Sequence, residues 1–186
     1  VHISNFRPVK RVADVVRIFA RVQPDCPSVL VMVGDGPDRV DAVEAARELG
    51  VEEDVHFLGR IDDIAPLLAS ADLFLLPSNR ESFGLSALEA LACGVPVIGC
   101  NVGGLPEVVR HGETGALLAP GDIDGLSAAA LGILCDGDRW QQMSELAASD
   151  ARARFSEDAI VPQYEALYRK AVTDRPRPLS ARPFSS

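Results

Sequence analysis

The segment from Asp72 to Asn101 constrains the fold most strongly, because its residues have the pattern of a strand–helix–strand unit. The apolar run that ends at Leu76 predicts a buried strand, Gly94 marks the end of a helix, and Pro96 to Cys100 predicts a second buried strand. The two strands of such a unit run parallel with a right-handed connection, and ligands bind beyond their carboxyl ends. A ligand is therefore expected at the loop that precedes the helix.

Two carboxylates lie around the start of this helix, Glu81 in the loop and Glu89 inside the helix. The helix is predicted to begin at Phe83 and Gly84, where glycine lets a phosphate approach the free N–H groups of a helix N-terminus. A charge on a helix that otherwise packs against a sheet usually meets a partner or a ligand. The unit thus offers phosphate donors and hydroxyl acceptors side by side. The apolar stripe expected to face the sheet consists of Leu85, Leu88, Leu91 and Ala92.

Predicted strands and helices alternate along the rest of the chain. Because the strands are nearly continuous apolar runs, we expect an α/β fold with a doubly wound, Rossmann-like parallel sheet of six strands in the order 3-2-1-4-5-6. The site should then lie where the first and fourth strands meet. The remaining strands are predicted at residues 1–5, 29–33, 55–58 and 116–119.

The loop after the first strand carries Arg7 and Lys10 just before an apolar helix. Pro8 suits the first position of that helix, which would place Lys10 and Arg11 in its first turn. Positive charge there opposes the helix dipole unless an anion neutralises it. Both Arg7 and Lys10 are therefore candidates for phosphate binding, and solvated surface charge is the alternative.

A glycine-rich turn from Gly34 to Pro37 follows the second strand. Such a turn between a strand and a helix is a weak signal for a phosphate loop, because it lacks the P-loop lysine and the full dinucleotide fingerprint. Gly34 is a candidate for donor contact on this basis, and a tight turn without a ligand is the alternative.

Composition and charge argue against several classes of function. The formal net charge of −9 disfavours binding to nucleic acid or to anionic membranes. No apolar run approaches the roughly 18 residues needed to span a membrane. The four cysteines form no CxxC pair and no metal-ligand spacing with histidine, so we expect free thiols and a cytoplasmic protein. The chain starts as a strand without a leading methionine, so we expect a part of a longer polypeptide.

The two glutamates belong to the stretch ESFGLSALEALACGVPVIGCNVGGLPEVV, which resembles the E-x7-E signature of retaining glycosyltransferases of the GT-B fold. The stretches HISNFRPVKRVADVV, VGDGP and NVGGLPEVVRHGETG are also similar to that family, in particular to its malate-glycosylating members of bacillithiol biosynthesis. The likeness runs from His2 to about Tyr168 and covers the nucleotide-binding half of the fold.

This resemblance implies a role for each candidate residue. Glu89 would hold the ribose hydroxyls of UDP, and Glu81 would hold a hydroxyl of the donor sugar. Lys10, assisted by Arg7 or Asn5, would neutralise the leaving diphosphate. The remaining donor contacts would come from the backbone of Ile61 at the uracil and of Phe83, Gly84 and Leu85 at the diphosphate and sugar.

For the whole chain, the resemblance implies a C-terminal donor-nucleotide-binding domain at residues 1–173 and a disordered tail at residues 174–186. The acceptor domain would lie outside the chain, which alone would bind donor without transferring sugar. The implied activity is transfer of N-acetylglucosamine from UDP-GlcNAc to L-malate with retention, without metal or cofactor. A different acceptor, a sugar-nucleotide epimerase, a binding module without turnover and a homo-oligomer all stay open. A bare dinucleotide-binding domain is disfavoured, because the turn after the first strand lacks GxGxxG.

Overall fold

A computed structural model describes residues 1–173 of the protein. The chain divides into two compact units, Val1–Ala151 and a second that begins at Arg152. The first unit contains all the predicted strands and every candidate site residue, so the predicted α/β fold class is confirmed there. The tail expected at residues 174–186 lies outside the described residues.

Short parallel strands form the centre of the first unit. They are β1 His2–Ile3, β2 Leu30–Val33, β3 Val55–Gly59, β4 Phe74–Leu76, β5 Val97–Cys100 and β6 Gly115–Leu118. Their hydrogen bonds form two sheets of three strands, ordered β1-β2-β3 and β4-β5-β6, and each neighbouring pair is parallel. β4 and β5 are buried along their whole length, as strands covered on both faces are.

β1 lies beside β4, so the strands follow the predicted order 3-2-1-4-5-6. The backbone N–H of Leu75 donates to the carbonyl of Val1 at 2.9 Å, and Nδ1 of His2 donates to the carbonyl of Leu75 at 2.8 Å. All six predicted strands are present, but their regular hydrogen bonding divides the predicted sheet into two sheets of three strands between β1 and β4. β1 has only two residues, which pair regularly with Met32 and Val33 of β2, so it offers few backbone groups on the edge that faces β4.

Helices connect the strands and cover the sheets of the first unit. They are α1 Val12–Val22, α2 Arg39–Glu48, α3 Ala65–Ala69, α4 Leu85–Ala92, α5 Leu105–Val108 and α6 Ile123–Leu134, with short 3-10 turns at Pro8–Lys10 and Glu52–Asp54. The chain continues with α7 Gly137–Phe155 and α8 Glu157–Thr173. α1 packs against α2 and α6 through a buried apolar face that includes Val12, Val15, Val16 and Phe19. This packing places the start of α1, next to the basic loop, at a fixed position beside the sheet.

Candidate functional site

The loops after β1, β2 and β4 meet at the carboxyl-end edge of the strands. The N–H of Phe6 donates to the carbonyl of Asp35 at 3.1 Å, and the N–H of Asn79 donates to the carbonyl of Val9 at 2.8 Å. The loop after β1 is therefore tied by its backbone to the loops after β2 and β4. In parallel α/β sheets this edge is where ligands bind.

Lys10 and Arg11 do not lie in the first turn of an α-helix, contrary to the prediction. Pro8–Lys10 forms a separate 3-10 turn, and α1 begins only at Val12. Arg11 stands between them with φ 51° and ψ 47°, a left-handed conformation that residues other than glycine rarely adopt. The chain changes direction at this residue, and the side chain of Lys10 reaches the loop after β4.

Lys10 and Glu81 form an ion pair at this edge. Nζ of Lys10 donates to Oε1 of Glu81 at 2.6 Å, and the two side chains are 18% and 8% exposed. The buried hydroxyl of Ser78 donates to the same carboxylate oxygen at 2.7 Å. The sequence predicted both Lys10 and Glu81 for the site, but not this contact, which joins the phosphate-binding candidate to the hydroxyl-binding one.

The second carboxylate oxygen of Glu81 has no hydrogen-bond partner among the described side chains. The side-chain hydrogen bonds of Glu81 run to Oε1, and no buried side-chain oxygen or nitrogen in the described part of the chain lacks a partner. Oε2 must therefore reach solvent, where it can accept from a hydroxyl group. The ammonium group of Lys10 has three N–H donors in all, so further donors remain for an anionic group.

Gly103 and Gly104, which follow β5, lie against the backbone of the loop after β4 that carries Glu81. The N–H of Gly104 donates to the carbonyl of Glu81 at 3.1 Å. A Cβ at Gly103 would stand 1.8 Å from the carbonyl oxygen of Glu81, and one at Gly104 would stand 2.4 Å from the carbonyl oxygen of Ser82. Glycine is thus required for the two loops to approach each other so closely.

α4 begins directly after Gly84, whose φ is 93°. The predicted apolar stripe is confirmed at Leu91, which is fully buried, and is wrong at Leu85, which is 67% exposed, and at Ala92, which is exposed as well. Glu89 is also exposed, and its spacing of four residues from Leu85 places both on one face of α4. The side chains that α4 buries are Ala87, Ala90 and Leu91. Leu85 and Glu89 therefore form a solvent-facing surface next to the free N-terminus of the helix.

The other predicted site residues lie in loops. Asn5 and Arg7 are exposed and directly precede the 3-10 turn that carries Lys10. Phe83 is half-buried before Gly84, and Ile61 is half-buried after β3. The structure thus places the predicted residues in loops that follow strands or at the start of α4, and their contacts with a donor stay a prediction.

Gly34 has a packing role that does not depend on a ligand. It is buried, its φ is 124°, and a Cβ there would stand 1.8 Å from the carbonyl oxygen of Ser4. The loops after β1 and β2 can therefore come together only if this residue is glycine. Its predicted contact with the donor is untouched by this observation and stays a prediction.

Asp14 is a buried carboxylate that the sequence analysis did not single out. It lies in the first turn of α1, is 3% exposed, and pairs with Arg11 and with Nη1 of Arg17, the latter at 2.7 Å. Arg11 also donates to Oδ1 of Asn79 at 3.4 Å. These contacts brace the left-handed Arg11 against the loop that carries Glu81. The signal in the sequence is an acidic residue three positions after a basic one at the start of a helix.

His2 is buried beneath this edge and is held by two hydrogen bonds. Nε2 accepts from the hydroxyl of Ser4 at 2.7 Å, while Nδ1 donates to Leu75. Burial lowers the pKa of His2 to about 4, although the hydrogen bond to Leu75 acts in the opposite direction. His2 is therefore neutral near pH 7 and serves as a packed link between β1 and β4.

Within residues 1–173, no group of three or more His, Cys, Asp or Glu side chains is arranged to hold a metal ion. None of the helices among the same residues has the length and the apolar character needed to cross a membrane. All four cysteines are free thiols.

Comparison with known proteins assigns the chain to a family. The sequence model of the family described as Glycosyl transferases group 1 matches residues 1–150. The chain belongs to this family. It is 46% identical over 174 residues to N-acetyl-alpha-D-glucosaminyl L-malate synthase of Bacillus anthracis, which covers 94% of this chain and 46% of that protein. It is 37% identical over 182 residues to D-inositol 3-phosphate glycosyltransferase of Mycobacterium marinum, which covers 92% of this chain and 38% of that protein.

Solved structures of GT-B glycosyltransferases share the fold. The complex of Anabaena Alr3699/HepE with UDP has a TM-score of 0.83 and 30% identity, over 91% of this chain and 48% of that one. Sucrose-phosphate synthase from Thermosynechococcus elongatus has a TM-score of 0.80 and 32% identity, over 92% of this chain and 45% of that one. These matches confirm the prediction of a Rossmann-like half of a GT-B fold. The chain spans less than half the length of each of these relatives.

Proposed function

We propose that this chain is the donor-nucleotide-binding domain of a retaining glycosyltransferase that transfers N-acetylglucosamine from UDP-GlcNAc to L-malate. The observation that carries the proposal is the Lys10–Glu81 pair, with 2.6 Å between Nζ and Oε1. In this pair, the ammonium group of Lys10 can bind a diphosphate. The second carboxylate oxygen of Glu81, next to it, can accept from a hydroxyl group. A carboxylate repels a bare phosphate at close range, so a ligand that suits both groups carries phosphate and hydroxyls in adjacent parts. A sugar nucleotide has this arrangement.

Each residue has one task in the proposed reaction. Glu81 accepts a hydroxyl of the donor sugar, and Glu89 accepts the ribose hydroxyls. The free N–H groups at the start of α4, after Gly84, bind the diphosphate. Lys10, with Arg7, stabilises the negative charge that develops on the diphosphate as its bond to the anomeric carbon breaks. These roles require no metal ion, because the cationic side chains and the helix N-terminus supply the positive potential.

The relatives support the choice of donor and acceptor. The Bacillus anthracis protein at 46% identity is named for both N-acetylglucosamine and L-malate, and the Anabaena protein was solved with UDP. Because this chain spans 46% of the Bacillus anthracis protein, we place the acceptor site in a second domain outside these residues. The chain alone then binds donor without transferring sugar. The free cysteines support a reducing compartment such as the cytosol.

A second acceptor deserves a direct comparison, because the Mycobacterium marinum relative at 37% identity is named for D-inositol 3-phosphate. The test is product analysis by mass spectrometry of the protein in its full natural length, incubated with UDP-GlcNAc and with L-malate, D-malate or D-inositol 3-phosphate. The proposal predicts N-acetylglucosaminyl malate with L-malate. If sugar is transferred to D-inositol 3-phosphate and not to L-malate, the proposed acceptor is wrong. Conversion of UDP-GlcNAc without any acceptor would point to an epimerase.

A further inference from the structure

The hydroxyl of Ser78 contacts the proposed site from inside the protein. Ser78 follows β4 and is fully buried, and its Oγ donates to Oε1 of Glu81 at 2.7 Å. No task in the proposed reaction has been given to this residue. A fully buried hydroxyl cannot touch the donor, so its effect must pass through the carboxylate that it binds.

Ser78 and Lys10 together occupy one oxygen of Glu81. Oε1 accepts from Nζ of Lys10 at 2.6 Å and from Oγ of Ser78 at 2.7 Å, which uses the two lone pairs of that oxygen. The two donors come from different loops and fix the plane of the carboxylate. Oε2 is left as the oxygen that faces the ligand.

Lys10 alone would hold Glu81 poorly. An ammonium group is a compact charge on a flexible stem, and it does not impose one orientation on a carboxylate as a rigid donor does. In the proposed reaction Lys10 must also turn toward the diphosphate. The donor from Ser78 stays in place throughout, because its side chain is enclosed by the protein.

We infer that Ser78 is a positioning residue, which holds the carboxylate of Glu81 so that Oε2 meets the donor sugar while Lys10 serves the diphosphate. The inference rests on the proposed function of this site. Without the hydroxyl, both oxygens of Glu81 are free to turn toward Lys10. The sugar then loses its acceptor, whereas the nucleotide keeps its own contacts.

The test is calorimetric titration of this chain with UDP and, separately, with UDP-GlcNAc. Ser78→Ala should weaken binding of UDP-GlcNAc by about three- to tenfold, the effect of one lost hydrogen bond, and change binding of UDP by less than about twofold. Ser78→Thr and Ser78→Val add similar volume, but only threonine keeps the hydroxyl, so Ser78→Thr should bind UDP-GlcNAc more tightly than Ser78→Val does.

Ser127→Ala is the matched control. Ser127 is 4% exposed and its Oγ donates to the carbonyl of Ile123 at 2.7 Å, so the substitution removes a buried hydroxyl from α6. It should leave the affinities for both ligands unchanged. The inference is overturned if Ser78→Ala binds UDP-GlcNAc like the unsubstituted chain, or if it loses UDP and UDP-GlcNAc to the same extent. If the unsubstituted chain binds neither ligand, the proposed function itself fails, and this is seen before any substitution is made.

Discussion

Lys10 and Glu81 are 71 positions apart in the chain, yet Nζ of one lies 2.6 Å from Oε1 of the other. The pair joins the loop after β1 to the loop after β4, the two strands that meet where the strand order reverses. Because the side chains are only 18% and 8% exposed, removing either one leaves the other charge with little water around it. The ion pair that we propose for donor binding therefore also contributes to the folding stability of this edge.

A double-mutant cycle of Lys10→Ala and Glu81→Ala should reveal this coupling. We expect Lys10→Ala to lower the free energy of unfolding by about 1–3 kcal/mol, because it leaves a mostly buried carboxylate with Ser78 as its remaining donor. The double variant should lose less than the sum of the single variants. Urea unfolding of the four proteins measures the coupling.

The matched control is the pair of Arg21 and Asp124, whose atoms lie 3.0 Å apart but whose side chains are 48% and 88% exposed. Its coupling should stay below about 1 kcal/mol, as is usual for surface pairs. Equal coupling in the two cycles would mean that the Lys10–Glu81 pair is no more than a surface contact.

Gly103→Ala should disturb the loop of Glu81. A Cβ there would stand 1.8 Å from the carbonyl oxygen of Glu81, and φ is 54°. Gly112→Ala separates the two effects, because φ at Gly112 is 84° but nothing lies within 4 Å of a Cβ there. We expect Gly112→Ala to cost about 1–2 kcal/mol for the left-handed backbone alone, and Gly103→Ala to cost clearly more. Similar losses in urea unfolding would show that the loops can move apart freely.

The order of the strands could be predicted from the sequence, because continuous apolar runs between polar turns define parallel strands and their connections. The division of the sheet between β1 and β4 could not be predicted, because it depends on the hydrogen bonds of β1, a strand of only two residues. The apolar stripe predicted for α4 was wrong in part. The pattern counts Leu85 as a core residue, but at the start of α4 it faces solvent.

Stability should fall as the pH is lowered from about 6.5 to about 4, through His2. Burial lowers the pKa of His2 to about 4 from its ordinary value of 6.5, so the unfolded chain takes up a proton in this range and the folded chain does not. The contribution is fully present above pH 6.5 and is lost as the pH falls toward 4, on the order of 3 kcal/mol in all.

His2→Gln should lack this part of the pH dependence, whereas His56→Gln, a substitution at an exposed position, should keep it. The measurement is the free energy of unfolding in urea at several pH values for the three proteins. Parallel curves for His2→Gln and the unsubstituted chain would contradict the buried, neutral state of His2.

Glu89 and Glu81 should affect different ligands. Glu89→Ala should weaken binding of UDP by about 1–3 kcal/mol, the value of hydrogen bonds to a charged group. Glu81→Ala should leave the affinity for UDP nearly intact and weaken that for UDP-GlcNAc. Glu44→Ala, at an exposed position on α2, is the control and should change neither. Equal losses of UDP affinity in Glu81→Ala and Glu89→Ala would remove the separation of their roles.

The residue types of the site and the loops that carry them could be predicted from their positions after strands. The contacts among them could not. The Lys10–Glu81 hydrogen bond joins two loops that are distant in the sequence. A left-handed conformation is usually predicted from a glycine, but here the residue is Arg11. Ser78 and Asp14 were missed because a short polar side chain gives no pattern until its burial is known.

Calorimetric titration of UDP into this chain in the presence of a chelator tests whether this edge binds a sugar nucleotide through its own side chains. We expect saturable binding at one site per chain that the chelator does not reduce and that rising salt weakens, since charged groups hold the diphosphate. Binding of NAD in the same cell with no heat from UDP would contradict this expectation.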